Sequence, residues 1–504
     1  MPTRPLPDNP SLEHLRNQAR SLQRGTRAGD AEALAVFGEF DPRRDLTGGC
    51  SLSDAQLVVA RSYGFPSWQR LRAHLDVVAE YSYWPRPVDD TDDGAEGAGS
   101  SDGRDLPALA DRFLDLACLN YTRDTRHRPA RARDLLRAHP EVARFSLHTM
   151  AAAGDAAGLR DALEWDRSQV DQSGGPYGWP PLMYLTYSRL ETGEPVEAAE
   201  VLLAAGADPD SGRLWQGMTS AFTALTGAFG GGEQDQPPHP RAVDLARLLL
   251  RAGADPNDNQ ALYNRQFTPA NDHLEVLFEF GLGREHESPW RRRLGHTYPS
   301  TTAMVEEQLR WAADHGMTAR VRLLLDHGVA ADGRGYHPNY GELTALQLAT
   351  LAGEREIARM LLDAGADRGR VDAVQEFVGA CVAGDRAGVE RLTAVNPGLP
   401  AHVREQFPDA GVLVARTGSV EAMRLVLEQG FDVNTGVRGG VLGPPLRRTA
   451  LHEAAHAGNL PLVRFLVEQG ADHGLRDASF DATPLGWAEH GGNEETAAYL
   501  RRLG

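Results

Sequence analysis

The sequence predicts an all-α solenoid of stacked helix-turn-helix units with extended turns, preceded by a small helical module. Three observations carry that reading. Residues 449–470 (TALHEAAHAGNLPLVRFLVEQG) and 483–504 (TPLGWAEHGGNEETAAYLRRLG) share one frame, with Thr449 aligned on Thr483 and Gly470 on Gly504. A fixed offset of that size marks stacked repeats and not one globular core. The frame returns upstream, at 343–367 (LTALQLATLAGEREIARMLLDAGAD), 377–392 (FVGACVAGDRAGVERL) and 412–434 (VLVARTGSVEAMRLVLEQGFDVN). The stretch 1–80 lacks it and carries helical periodicity of another kind.

Each piece of the frame has a local reason. The opening threonine, Thr449 or Thr483, caps a short first helix. Leu451, Ala454 and Ala455 fall at i, i+3 and i+4, one face of that helix. Gly458 ends it, as glycine does at a helix C-terminus. Leu462, Phe465 and Leu466 give the second helix its apolar face, and Gly470 stops it. Asp472 then enters an extended turn toward the next threonine. No unit buries its apolar face alone, so the units must stack.

These strings resemble the ankyrin repeat, with its T-P-L-H-x-A-A opening, central glycine and L-L-x-x-G-A-D close. The match is strong at 344–367 and 449–489, clear at 196–210 and 245–258, and partial elsewhere. About nine to eleven units are expected over 108–504. The resemblance implies a non-catalytic scaffold that recognises a partner protein along the concave face formed by the first helices and turns. Aromatic residues expected on that face are Trp179, Tyr184, Tyr187, Tyr263 and Trp311, with Tyr336 and Tyr340 in a turn. Trp and Tyr are favoured interface anchors. Asn264 and Arg265 join them, because Asn259–Arg265 (NQALYNR) replaces the usual opening with hydrogen-bonding residues.

The spacing is uneven. The closing glycines Gly206, Gly253, Gly281, Gly328, Gly365, Gly430, Gly470 and Gly504 are separated by unequal steps. The extra residues form inserts at 227–240, 283–302 and 436–448. Inserts on one edge of a solenoid belong to its binding side or are tolerated surface variation.

Residues 1–82 form the front module. Leu12, Leu15, Ala19 and Leu22 lie on one stripe, and two further helices are split by Gly64–Ser67, with Ser51 or Ser53 and Ser67 as caps. The module resembles the helical piece ahead of some bacterial ankyrin-repeat proteins. Gln56–Gly64 followed by Trp68–Leu71 also resembles a helix-turn-helix, with Arg61, Arg70, Arg72 and His74 toward phosphate. That alternative is a transcriptional regulator with a sensor solenoid. Ten arginines against ten acids in residues 1–80 leave the module neutral, which argues against it. Residues 83–107 read as a flexible acidic Pro/Gly/Ser linker, which would let the two parts move independently.

Composition excludes several classes. The net charge of −18 argues against nucleic acid as a partner and mildly favours a basic protein. No lysine occurs, so all 52 basic residues are arginine and lysine-dependent chemistry is excluded. No apolar run is long enough to span a bilayer and none lies near the start, so a cytoplasmic protein without membrane contact is expected. Cys50, Cys118 and Cys381 are far apart and suit a reducing compartment. Two catalytic strings match by accident. His452-Glu453-Ala454-Ala455-His456 reads H-E-x-x-H, but the frame uses His452 for its turn. Gly99–Gly103 reads G-x-S-x-G without the strand and helix that a nucleophile elbow needs. No catalytic residue, metal or cofactor is expected. A third alternative is an enzyme or small-ligand binder that uses insert-lined pockets, and it predicts a polar cleft with perturbed acids at 227–240 or 283–302.

Overall fold

The computed structural model describes residue 6 and residues 11–42, 50–83, 105–122, 124–337, 340–438 and 445–504. The chain forms two compact units, Met1–Thr301 and Thr302–Gly504. Each is built mainly from short helix pairs, and among the described residues no helix is long and apolar enough to cross a membrane. The Gly99–Gly103 string and residues 84–104 of the expected linker lie outside the described residues.

The first unit begins with four helices, Leu12–Ala28, Ala31–Phe40, Leu52–Ser62 and Trp68–Tyr81. Ser51 caps the third in a capping box with Asp54, and Ser67 caps the fourth. Leu15 and Ala19 enter a core with Phe37, Val58, Phe65 and Leu71, and Leu12 and Leu22 pack at its edge. The helix-turn-helix reading loses two of its four phosphate contacts here. Arg61 is bonded to the Asp41 carboxylate at 2.8 Å and to the Phe40 carbonyl at 3.1 Å. His74 is buried against Phe65, with ring centroids 5.0 Å apart.

Five helix pairs follow in this unit among the described residues, from Leu106–Ala117 with Arg128–Ala138 to Asn259–Arg265 with Asp272–Glu279. The module contacts the segments that connect and follow these pairs. Ser82 and Tyr83 pair in parallel with Leu214 and Trp215, and Gly212–Leu214 pairs antiparallel with Ala221–Thr223. Tyr81 meets Trp290 edge-on at 5.3 Å, and the Arg293 guanidinium lies 4.5 Å from the Tyr81 ring centre. The 283–302 insert therefore receives the module.

The second unit holds six pairs among the described residues, from Thr301–Asp314 with Thr318–Asp326 to Pro484–His490 with Glu494–Arg501. Its core runs from Leu351 to Leu500. The opening threonine works as the frame requires: Thr344 forms a capping box with Gln347. Thr449 bonds to His452 Nδ1 through both its amide, at 3.1 Å, and its hydroxyl, at 2.9 Å. The 436–448 insert contributes a two-stranded hairpin, Gly436–Arg438 with Pro445–Thr449.

Successive turns are tied by one device. The Asp208 amide donates to Asp171 at 3.1 Å, Asp255 to Asp210 at 2.9 Å, Asp367 to Asp332 at 3.0 Å and Asp472 to Asn434 at 2.7 Å. Asp210 is buried in this ladder, and burial outweighs its bond from the Asp255 amide to push its carboxyl up to about 7. A carboxyl raised on folding stabilises the protein below its unfolded value near 4, and that contribution is lost as pH rises through about 7. We expect Asp210→Asn to be insensitive to this transition. The stability advantage of the wild type over the variant should grow by on the order of 2 kcal/mol between pH 8 and pH 5. Urea titrations of both proteins across that range check it. His74, His239 and Asp258, whose carboxyl burial pushes up to about 6, titrate in both proteins and cancel from the difference, apart from the charge interaction between Asp258 and Asp210. A constant difference would remove Asp210 as the proton-binding group.

Candidate partner-binding surface

The first-helix and turn side of the repeats holds the aromatic residues singled out by the sequence, but burial divides them. Trp179, Tyr184 and Tyr187 are core residues of the first unit and do not reach the surface. Trp179 packs on Tyr187 at 4.9 Å and on Tyr184 at 5.3 Å. The Tyr184 hydroxyl donates to the Gly174 carbonyl at 2.9 Å and accepts from the Tyr177 amide at 3.0 Å. Asn264 and Arg265 are also buried. The Asn264 amide donates to the Tyr121 hydroxyl at 3.1 Å, and Arg265 pairs with Asp272 at 2.7 Å. The polar opening 259–265 thus holds repeats together instead of forming a recognition patch. Tyr263 alone of this group stays half-exposed, bonded to Glu233 of the 227–240 insert at 2.8 Å.

In the second unit the structure brings Trp311 and Tyr340 to one helix. Trp311 stacks on His315 at 3.9 Å. Tyr340 donates to Asp314 at 3.1 Å and lies under the Arg310 guanidinium, 5.0 Å from the ring centre. The loop that carries Tyr336 is pinned by two carboxylates. Glu306 accepts the amides of Arg334 and Gly335, and Glu307 accepts those of Tyr336 and His337, at 3.1–3.3 Å. Burial pushes the Glu307 carboxyl up, against the pull of Arg310 and these amides. Tyr336 is exposed at the loop surface.

The last two repeats carry a second aromatic cluster that the sequence reading missed. Trp487 is its hub. Its indole donates to Asp477 at 2.9 Å, and the Arg448 guanidinium lies 5.7 Å from its ring centre. His456 meets it edge-on at 5.4 Å and Phe480 at 5.9 Å, while His490 stacks on His456 at 6.2 Å. Burial raises Asp477, but the bonds from Trp487 and from the Phe480, Ser479 and Ala482 amides prevail and hold it below the usual carboxylate range. Asp477 thereby fixes the turn that presents Phe480, whose side chain is 75% exposed. Single exposed apolar residues are common; this Phe differs in sitting on a hydrogen-bonded turn beside Trp, two His and Arg, the residue types that anchor interfaces, which makes the cluster a candidate contact surface.

The same repeats settle the roles in H-E-x-x-H. His452 is buried, its Nδ1 is engaged by Thr449 and its Nε2 by the Ala482 carbonyl at 3.3 Å. Glu453 pairs with Arg448 at 2.6 Å. His456 is exposed and belongs to the aromatic surface. The arrangement offers shape, π faces and hydrogen bonds to a partner.

Comparison with known proteins agrees with this architecture. The ankyrin-repeat family model matches in three copies, within residues 379–477 and 412–504. The chain is 30% identical over 174 residues to the mouse B-cell lymphoma 3 protein homolog, covering 34% of this chain and 30% of that protein. It is 30% identical over 196 residues to the Caenorhabditis elegans ankyrin repeat and KH domain-containing protein mask-1, 38% of this chain and 7% of that one. A Caenorhabditis briggsae protein of the same description is 26% identical over 276 residues, 46% of this chain and 10% of its own length. The chain thus spans less than a third of each of these relatives. All three are animal proteins, so they lend no support to the bacterial type expected from the front module. The helix pairs, the threonine caps, the Asp turns and the matched segments together show that the chain carries ankyrin repeats within residues 379–504.

Proposed function

We propose that this protein is a non-catalytic scaffold that recognises a partner protein through the first-helix and turn side of its second unit. The carrying observation is the exposed Phe480 held beside Trp487, His456 and Arg448 inside the family-matched repeats. Tyr336, Tyr340 and Trp311 are further contacts on the same unit, and Tyr263 is one on the first. Buried aromatic hot spots dominate such interfaces, and exposed aromatic side chains on rigid backbone are their unbound form. The acidic chain, at −18, favours a partner with a basic surface.

The test is affinity capture with full-length protein against Phe480→Asp, followed by titration of the captured partner. Phe480 is largely outside the core, so the variant should keep wild-type stability. Affinity for the partner is expected to fall by at least about 30-fold, the effect of losing one hot spot of about 2 kcal/mol. Unchanged affinity would place recognition elsewhere.

A further inference from the structure

A cleft of about 610 Å³ in the first unit lies between the start of the helix Arg128–Ala138 and the 227–240 insert. Its size is that of a small-molecule site. Gln234–Gln236 and the proline run Pro237, Pro238 and Pro240 form one wall. Arg126, Arg128, Arg133 and Arg189 line it, against the three acids Asp124, Glu191 and Asp235. The lining is therefore net positive by one charge in a chain that is −18 overall.

The disposition of these charges matters more than their number. Asp124 is spent on structure: it accepts the amides of Asn120 at 3.2 Å and Tyr121 at 2.6 Å and pairs with Arg128. Arg189 is buried, and its bonds go to backbone carbonyls: Pro237 at 2.6 Å, Gly227 at 2.7 Å, Ser188 at 2.9 Å and Thr186 at 3.1 Å. Four of its five N–H groups are thereby engaged, and among the described residues no carboxylate lies within ion-pairing distance of it. The one carboxylate of the cleft lining that acts on it through space, Asp124, is already paired with Arg128, so the positive potential in the adjoining space is only partly offset. Arg133 has Glu191 at 4.0 Å, a loose pair whose acid is 76% exposed. Arg126 is exposed at the rim. The helix that opens here has no side-chain cap, and its Pro129 and Ala130 form part of the wall. Its dipole adds to the same sign.

We propose that this cleft binds an oxyanion, the phosphate or carboxylate group of a small acidic molecule, with Arg126 and Arg133 as the direct contacts and Arg189 as the fixed charge behind them. Arg128 stays paired with Asp124 and shapes the floor. The site is separate from the aromatic surface assigned to partner recognition and stands or falls independently of it.

Isothermal titration of the full-length protein with inorganic phosphate, pyrophosphate and citrate, at fixed ionic strength, tests the site. Saturable binding of at least one probe at a single site is expected. Preference for pyrophosphate over citrate would identify a phosphate ligand, and the reverse a polycarboxylate. The double variant Arg126→Glu, Arg133→Glu should bind at least about tenfold more weakly with an unchanged melting temperature. Arg160→Glu, at an exposed pair outside the cleft, should bind as the wild type does. Absence of saturable binding by all three probes would overturn the assignment. So would equal binding by the double variant.

Discussion

Gly379→Ala is expected to destabilise the second unit by about 3 kcal/mol, the upper end of what overpacking costs. Gly379 lies in the helix Ala373–Val382, where it passes the helix Ala345–Leu351 of the preceding repeat. A Cβ at Gly379 would stand 1.9 Å from the Thr350 carbonyl oxygen. That neighbour is backbone, so no rotamer change relieves the clash and the two helices must separate. Separation would loosen Phe377, Val378 and Val382, which are buried in this unit's core. Gly486→Ala makes the matched control. Gly486 is in a helix, and its Cβ would meet only Ala482 at 3.5 Å, an ordinary contact. That variant should gain up to about 1 kcal/mol by restricting the unfolded chain. Denaturant titrations of the three proteins decide the matter. A Gly379→Ala protein within about 0.5 kcal/mol of wild type, the size of titration error, would show that the helix contact is not tight.

Tyr187→Ala is expected to cost the first unit about 3 to 5 kcal/mol, the usual cost of emptying a large core site. The ring is buried between Trp179, at 4.9 Å, and Tyr121, at 6.5 Å. It also lies flat against Gly227, where an added Cβ would fall 2.2 Å from the ring. The experiment separates two roles for one residue. A core residue loses stability on truncation, as read from the shift of the unfolding midpoint. A surface anchor keeps its stability and loses only partner affinity. The second outcome would restore Tyr187 to the binding surface and contradict the packing described above.

That distinction also shows where the sequence stopped being informative. The helices were legible because their signals are local: Thr344 and Thr449 cap, Gly458 and Gly470 adopt positive φ, and apolar residues recur at i, i+3 and i+4. The four helices of the front module were legible for the same reason, with Ser51 and Ser67 as written caps. The fate of each aromatic was not legible, because it depends on inserts whose path is set by tertiary contacts. Trp179 and Tyr184 face inward because the segment 174–179 folds back and offers the Gly174 carbonyl to Tyr184. Pairing of Ser82 with Leu214 joins segments far apart in the chain and leaves no local mark. Phe480 could have been found, because it interrupts a polar turn, DASFDAT. Trp487 carried no such mark, because it occupies the frame position of Glu453, where the repeat that opens at Thr344 has the apolar Leu348.

The most direct measurement is the dissociation constant of a captured partner for wild-type protein, Phe480→Asp and Tyr263→Ala, each shown to melt as the wild type does. Recognition through the second unit predicts a loss of at least about 30-fold for Phe480→Asp and a smaller change for Tyr263→Ala. Wild-type affinity in Phe480→Asp would contradict the central assignment and move recognition off the last two repeats.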